Sequence, residues 1–196
     1  MTVKLIRLPL AATALLALAA APAAAHTGSA PVVGFVSGFL HPVNGLDHVL
    51  AMVAVGMLAA LIGGRALWLV PASFLGAMVA GSALGFTLPF VELGIVASVV
   101  VLGAVVALAP RMPVTVAMAL AAAFGVFHGH AHGAEMPAAV SAVLYGLGFV
   151  TATAILHLIG VGAGLASERL AQGAGRAVLR LGGGVVAALG LVLVLV

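Results

Sequence analysis

Cysteine is absent from this 196-residue chain. That excludes a disulfide framework and any metal site built on thiolates. Charge is scarce too: 6% of residues are Asp, Glu, Lys or Arg, against about 25% in an ordinary soluble domain. Hydrophobic residues make up 65%, more than one small soluble core can hide from water. The chain therefore belongs largely in lipid. A soluble enzyme, a nucleic-acid binder and a disordered linker are excluded. A sequence pI near 10.7 does not reverse this. It rests on seven Lys and Arg against four Asp and Glu. Two of the seven, Lys4 and Arg7, lie in a segment expected to be removed.

That segment opens with the two cations, continues as an apolar run over Leu8 to Ala20, and ends with Pro22 and Ala23-Ala24-Ala25. Charged, apolar and small-residue regions in this order are the pattern of a secretory signal peptide. The expected division is a cleavable signal peptide over 1–25 and a single transmembrane helical domain over 26–196. Cleavage after Ala25 would make His26 the new N-terminus. Its α-amine and imidazole together could chelate a divalent metal.

The remainder reads as hydrophobic runs at 46–62, 66–86, 92–109, 114–130, 137–165 and 177–195. Most have about the length a helix needs to cross a ~30 Å hydrocarbon layer. They are continuously apolar rather than alternating, which favours helices over a barrel. The expected fold is all-α: a polytopic bundle of six transmembrane helices. A shorter apolar run over 32–40 ends at His41-Pro42. It is too short to cross and reads as a re-entrant or interfacial piece, or as an extension of the first span. Arg65, Arg111, Arg169 and Arg176 fall in alternate breaks, while the breaks at 87–91 and 128–136 hold no Lys or Arg. The positive-inside rule then puts the mature N-terminus on the periplasmic side of a bacterial inner membrane. Gly160 and Gly164, and Gly182-Gly183-Gly184 with Ala188, suit close helix packing inside one bundle. A homo-oligomer stays open.

What the chain does have is histidine, seven residues against four acids. Ionisable groups at membrane depth are costly and are functional candidates by default. His41, Asp47 and His48 sit at the outer start of the first span. His128, His130, His132 and Glu135 sit at the outer end of the fourth. On a continuous helix His41 and His48 align within about 20°, and Met52 joins that face. Asp47 falls beside it, and a bend at Pro42 and Gly45 would turn it inward. His128, His132 and Glu135 share a face if the helix persists past Gly129 and Gly133. Imidazole and carboxylate without thiolate suit Zn, Ni, Co or Fe(II). The same His-rich run also reads as a flexible outer loop titrating near neutral pH. His157, inside the fifth span, is either a hydrogen-bonding partner of a neighbouring helix or a deeper relay site. Asn44 is expected to cap the first span. Glu92 and Glu168 read as solvated, Tyr145 and Trp68 as packing or interfacial residues.

The segment His41-Pro-Val-Asn-Gly-Leu-Asp47-His48, followed by Met52 and Val55-Gly56, resembles the signature of the HupE/UreJ family of nickel permeases and accessory proteins. Phe127-His128-Gly-His130-Ala-His132-Gly-Ala-Glu135 resembles that family's second motif. With one more residue of spacing, the first segment is also similar to an element of the larger nickel/cobalt transporter family. The HupE/UreJ resemblance implies uptake of Ni²⁺ into the cytoplasm for hydrogenase or urease maturation. It implies metal-binding roles for His41, Asp47, His48, His128, His132 and Glu135. On this reading Ni²⁺ is the transported substrate, with Co²⁺ as the other candidate. The partners are that ion, membrane lipid and hydrogenase or urease maturation proteins, and nucleic acid is not among them. No nucleotide-binding loop is present, which fits a secondary carrier or channel; the expected class is a transporter and not an enzyme. Two other classes stay open: an intramembrane metal-dependent hydrolase using the His128-x-x-x-His132 pair, and a metal-binding accessory protein that does not transport.

Overall fold

The computed structural model describes residues 30–84, 86–169 and 174–195. The expected signal peptide and His26 lie outside the described residues. Among the described residues there are seven helices and no strand: α1 (Ala30–Asn44), α2 (Leu46–Ile62), α3 (Ala66–Ser82), α4 (Val91–Leu108), α5 (Val114–Ala134), α6 (Ala142–Glu168) and α7 (Ala174–Leu193). Each of α4 to α7 is long and apolar enough to cross a membrane. The pair α1–α2 is long and apolar enough only when taken together, and it is bent by 82° at its break, the shape of a broken span or a re-entrant loop. α3 is apolar but 17 residues long. The chain is an all-α, multi-pass membrane protein.

Backbone chemistry sets the breaks. Gly63 and Gly64 both have positive φ, 75° and 54°, and make the tight turn from α2 to α3. Pro110 and Pro113 fill the break before α5, and Pro113 is its N-cap, where a missing N–H breaks no intrahelical hydrogen bond. Several boundaries differ from the sequence expectation. The second run ends at Ser82 rather than 86, and the fifth begins at Ala142 rather than 137. The fourth continues through the His/Gly stretch to Ala134 instead of stopping at 130. The flexible-loop reading of that stretch is therefore corrected. The short run before His41 is a 15-residue helix that meets α2 at an angle. His41 and His48 consequently do not share a continuous helix. Asn44 closes α1 and does not cap α2, whose N-cap is Gly45 with no side-chain hydrogen bond.

Small residues explain why α5 persists. Gly125, Gly129 and Gly133 form one row, and a β-carbon at each would lie 2.5, 1.9 and 2.5 Å from the carbonyl oxygens of Phe74, Met78 and Ser82. α3 and α5 therefore lie in backbone contact, running in the same direction. Gly160 meets Val53 and Gly56, and Gly164 meets Ala60, so α2 and α6 are also parallel. Gly183 meets Val106 and Ala107 while Gly190 meets Val99 and Val100, so α4 and α7 are antiparallel. Gly160, Gly164, Gly182 and Gly183 thus serve packing within the bundle, whereas nothing lies close to Gly184. Met52, Val55, Leu58, Val70, Phe74, Met78, Val99 and Leu102 fill its core.

These directions give the bundle two distinct ends. The start of α2, the ends of α3 and α5 and the start of α6 gather at one. The breaks holding Arg65 and Arg111, and Arg176 at the start of α7, gather at the other, where Leu61, Ile62, residues 109–113 and Arg176 line a common cavity.

Candidate metal centre

The 82° bend at Gly45 brings the last turn of α1 and the first turn of α2 to one place. A β-carbon at Gly45 would lie 2.8 Å from Asp47 Oδ1 and 2.9 Å from His48 Nδ1, so glycine leaves room for that pair. The last turns of α5 deliver His128 and His132 to the same place. The C-terminal ends of α1 and α5 both point there, and their partial negative charge favours a cation.

His48, His128 and His132 each offer a ring nitrogen, all within 4.8 Å of one another. Their rings stand edge to face: the centroids of His48 and His128, and of His48 and His132, are 4.7 Å apart. An ion with bonds of ~2.1 Å needs ligand nitrogens ~3.0–3.4 Å apart. Closing the triangle from 4.8 Å would bring its farthest nitrogens ~1.4–1.8 Å closer together.

Hydrogen bonds decide which nitrogens are free. His48 Nδ1–H donates to Asp47 Oδ1 at 2.7 Å, and that oxygen also accepts the His48 backbone N–H at 2.7 Å. His48 Nε2 is left buried and without a partner. The Ser98 hydroxyl donates to the Ile95 carbonyl. Ser98 Oγ is therefore an acceptor for His128 Nε2–H at 3.0 Å, which leaves His128 Nδ1 buried and unpartnered. Neither His132 nitrogen has a partner. A buried acceptor without a partner costs about 1–3 kcal/mol, and such groups call for an explanation. The unpartnered nitrogens include one from each member of the converging triangle. A carboxylate or hydroxyl behind a metal-binding imidazole fixes its tautomer and raises its basicity.

The mouth of the site is less buried. His41 Nε2 and Glu135 Oε2 are 2.9 Å apart, with 29% and 53% of their side chains exposed. The His41 ring lies 4.6 Å from that of His132. A cavity of about 130 Å³ reaches His132 between Ser82, Met136, Ala142, Tyr145 and Phe149.

The structure thus brings together His41, Asp47, His48, His128, His132 and Glu135. His130 is two residues from both His128 and His132, so a helix turns it to the opposite face. There its Nε2 accepts the Leu88 N–H at 3.1 Å and ties the 87–91 connection to α5. His157 is fully buried and lies deeper along α6. Glu92 is exposed, Trp68 is 70% exposed, and Tyr145 is buried beside His41. Two contributors were missed in the sequence. Ser98 is a lone hydroxyl in an apolar run, and its position opposite His128 has no sequence signal. Phe74, whose ring lies against His128 at 5.3 Å, reads in sequence as ordinary core.

The family model for HupE / UreJ protein matches residues 13–193. A curated relative, Protein HupE of Rhizobium leguminosarum bv. viciae, is 43% identical over 182 residues, covering 91% of this chain and 94% of that protein. No solved structure matches the chain.

Proposed function

The chain belongs to the HupE/UreJ family, and on that premise we propose that it is a permease. It carries divalent nickel, with cobalt as second cargo, inward across the bacterial inner membrane for hydrogenase or urease maturation. Residues 1–25 are the cleaved signal, and His26 then stands on the periplasmic side. Six spans follow, with the histidine end of the bundle facing the periplasm and the arginine end the cytoplasm.

The observation that carries this reading is the converging triangle of His48, His128 and His132, each of which has a buried ring nitrogen without a hydrogen-bond partner. Hydrated cation is gathered by His41 and Glu135 at the mouth. It exchanges water for the three imidazoles, with Asp47 and Ser98 holding His48 and His128 in their metal-binding tautomers. Nitrogen ligands of borderline softness suit Ni²⁺ and Co²⁺ better than Mg²⁺ or Ca²⁺. An inward-negative potential favours entry by ~2.3 kcal/mol per charge per 100 mV, so a divalent ion needs no nucleotide.

Three imidazoles and an open position also describe a hydrolytic zinc site, and the small cavity beside His132 would admit a small substrate. One experiment separates the readings. Purified protein in proteoliposomes with an inside-negative potential should accumulate radiolabelled Ni²⁺ with time, and His48→Ala protein should not. Binding without luminal accumulation would leave an enzyme or a non-transporting binder instead.

A further inference from the structure

Tyr145, Phe149, Thr153 and His157 recur every fourth residue along α6 and are all buried. Such a row lies on one face of a helix. Its upper part borders the three-histidine site, where the Phe149 ring centre is 4.3 Å from that of His132. Thr153 and His157 continue one and two turns deeper, ~6 and ~12 Å along the axis from Phe149.

This deeper pair is anomalous. Thr153 is 0% and His157 1% exposed, yet Thr153 Oγ1, His157 Nδ1 and His157 Nε2 all lack a hydrogen-bond partner. Six other helical hydroxyls behave conventionally. Ser37, Ser73, Ser82, Ser98, Thr151 and Ser167 each donate to a carbonyl three or four residues earlier. Thr153 makes no such bond, and its oxygen stays available inside the bundle. The position is also held firmly. A β-carbon at Gly56 would lie 2.1 Å from the His157 carbonyl oxygen, so α2 and α6 touch backbone to backbone at this level. Phe74 stands between the two levels: its ring centre is 5.3 Å from that of His128 and 5.1 Å from that of His157.

We propose that Thr153 and His157 form a second, inner binding station for a divalent transition-metal cation in transit, divided from the three-histidine site by the Phe74 ring. This inference rests on the permease reading above. Imidazole and hydroxyl are a compatible but sparse donor set for such an ion. Sparse is what a transit station requires, because an ion must leave as readily as it arrives. The cation loads at the three imidazoles, passes the Phe74 ring, and is received by His157 and Thr153 on its way to the arginine end.

The test pairs uptake with binding. Wild type, His157→Ala, Thr153→Val and Thr153→Ser are reconstituted for radiolabelled Ni²⁺ uptake, and equilibrium Ni²⁺ binding is measured on the same proteins in detergent. Loss of a transit site should cut initial uptake about tenfold or more in His157→Ala and several-fold in Thr153→Val, while tight binding stays within about twofold. Thr153→Ser keeps the oxygen and should transport close to the wild-type rate. Wild-type uptake matched by both His157→Ala and Thr153→Val would overturn the inner station and leave the permease standing. Loss of tight binding in both variants would also overturn it, by making these residues supports of the outer site. Absence of accumulation by wild type would remove the permease reading itself, and the inner station with it.

Discussion

At one end of the bundle, His48, His128 and His132 hold buried nitrogens without partners. At the other, Arg65, Arg111, Arg169 and Arg176 are exposed, and a cavity of about 710 Å³ opens between Leu61, Ile62, Arg111, Met112 and Arg176. The arginines keep their hydration and cost the fold little. Their placement carries orientation. The imidazoles give up water without gaining full replacement, and that cost is tolerated where a ligand will supply the missing bonds. Polarity in a membrane protein is therefore informative according to how poorly it is satisfied, more than by its amount.

The sharpest way to break this contrast is to remove a ligand from the buried end. His48→Ala or His132→Ala should weaken Ni²⁺ binding by more than ~100-fold, beyond the range for a supporting residue; equilibrium dialysis against the purified variants measures it. Unchanged affinity in both would place the ion elsewhere. Acid should act on the same atoms. Imidazoles bind metal only when deprotonated, so protons compete with the ion. Affinity should therefore fall as acid protonates the ligands, which the same dialysis measures across a pH series.

The supporting residues should give a graded response. Asp47→Asn keeps the shape but removes the charge behind His48, and should cost ~10–100-fold in affinity. Ser98→Ala removes the acceptor for His128 Nε2–H and should cost less, near ~10-fold. An effect of Ser98→Ala larger than that of Asp47→Asn would reverse the roles given to the two. The smallest change is expected at the opposite end. Arg111→Gln should leave Ni²⁺ affinity within about twofold, since an exposed charge that far from the site is largely screened.

Much of this was legible in the sequence, and the parts that were not have definite causes. The helical runs follow from continuous apolarity, and the gathering of His41, Asp47, His48, His128, His132 and Glu135 follows from their common end of the bundle. The persistence of α5 to Ala134 was not legible, because Gly129 and Gly133 read locally as helix breakers. In the fold they are contact points for the Met78 and Ser82 carbonyls, and that role exists only once α3 is alongside. His41 and His48 do approach, with ring centres 6.5 Å apart. They do so through a bend at Gly45 and not through helical periodicity. Asp47 was read as a ligand. Its Oδ1 contact with His48 Nδ1 is a matter of side-chain geometry that no spacing encodes. The Tyr145–Phe149–Thr153–His157 row was present in the spacing, but only burial without hydrogen bonds distinguishes it from an ordinary packing stripe.

X-ray absorption at the nickel edge, on purified protein loaded with one equivalent of Ni²⁺, tests the three-imidazole site most directly. The expected spectrum has nitrogen scatterers near ~2.1 Å with the outer-shell pattern of three imidazole rings, reduced to two rings in His48→Ala and in His132→Ala. A spectrum of oxygen ligands alone, or one unaltered by either substitution, would contradict the site.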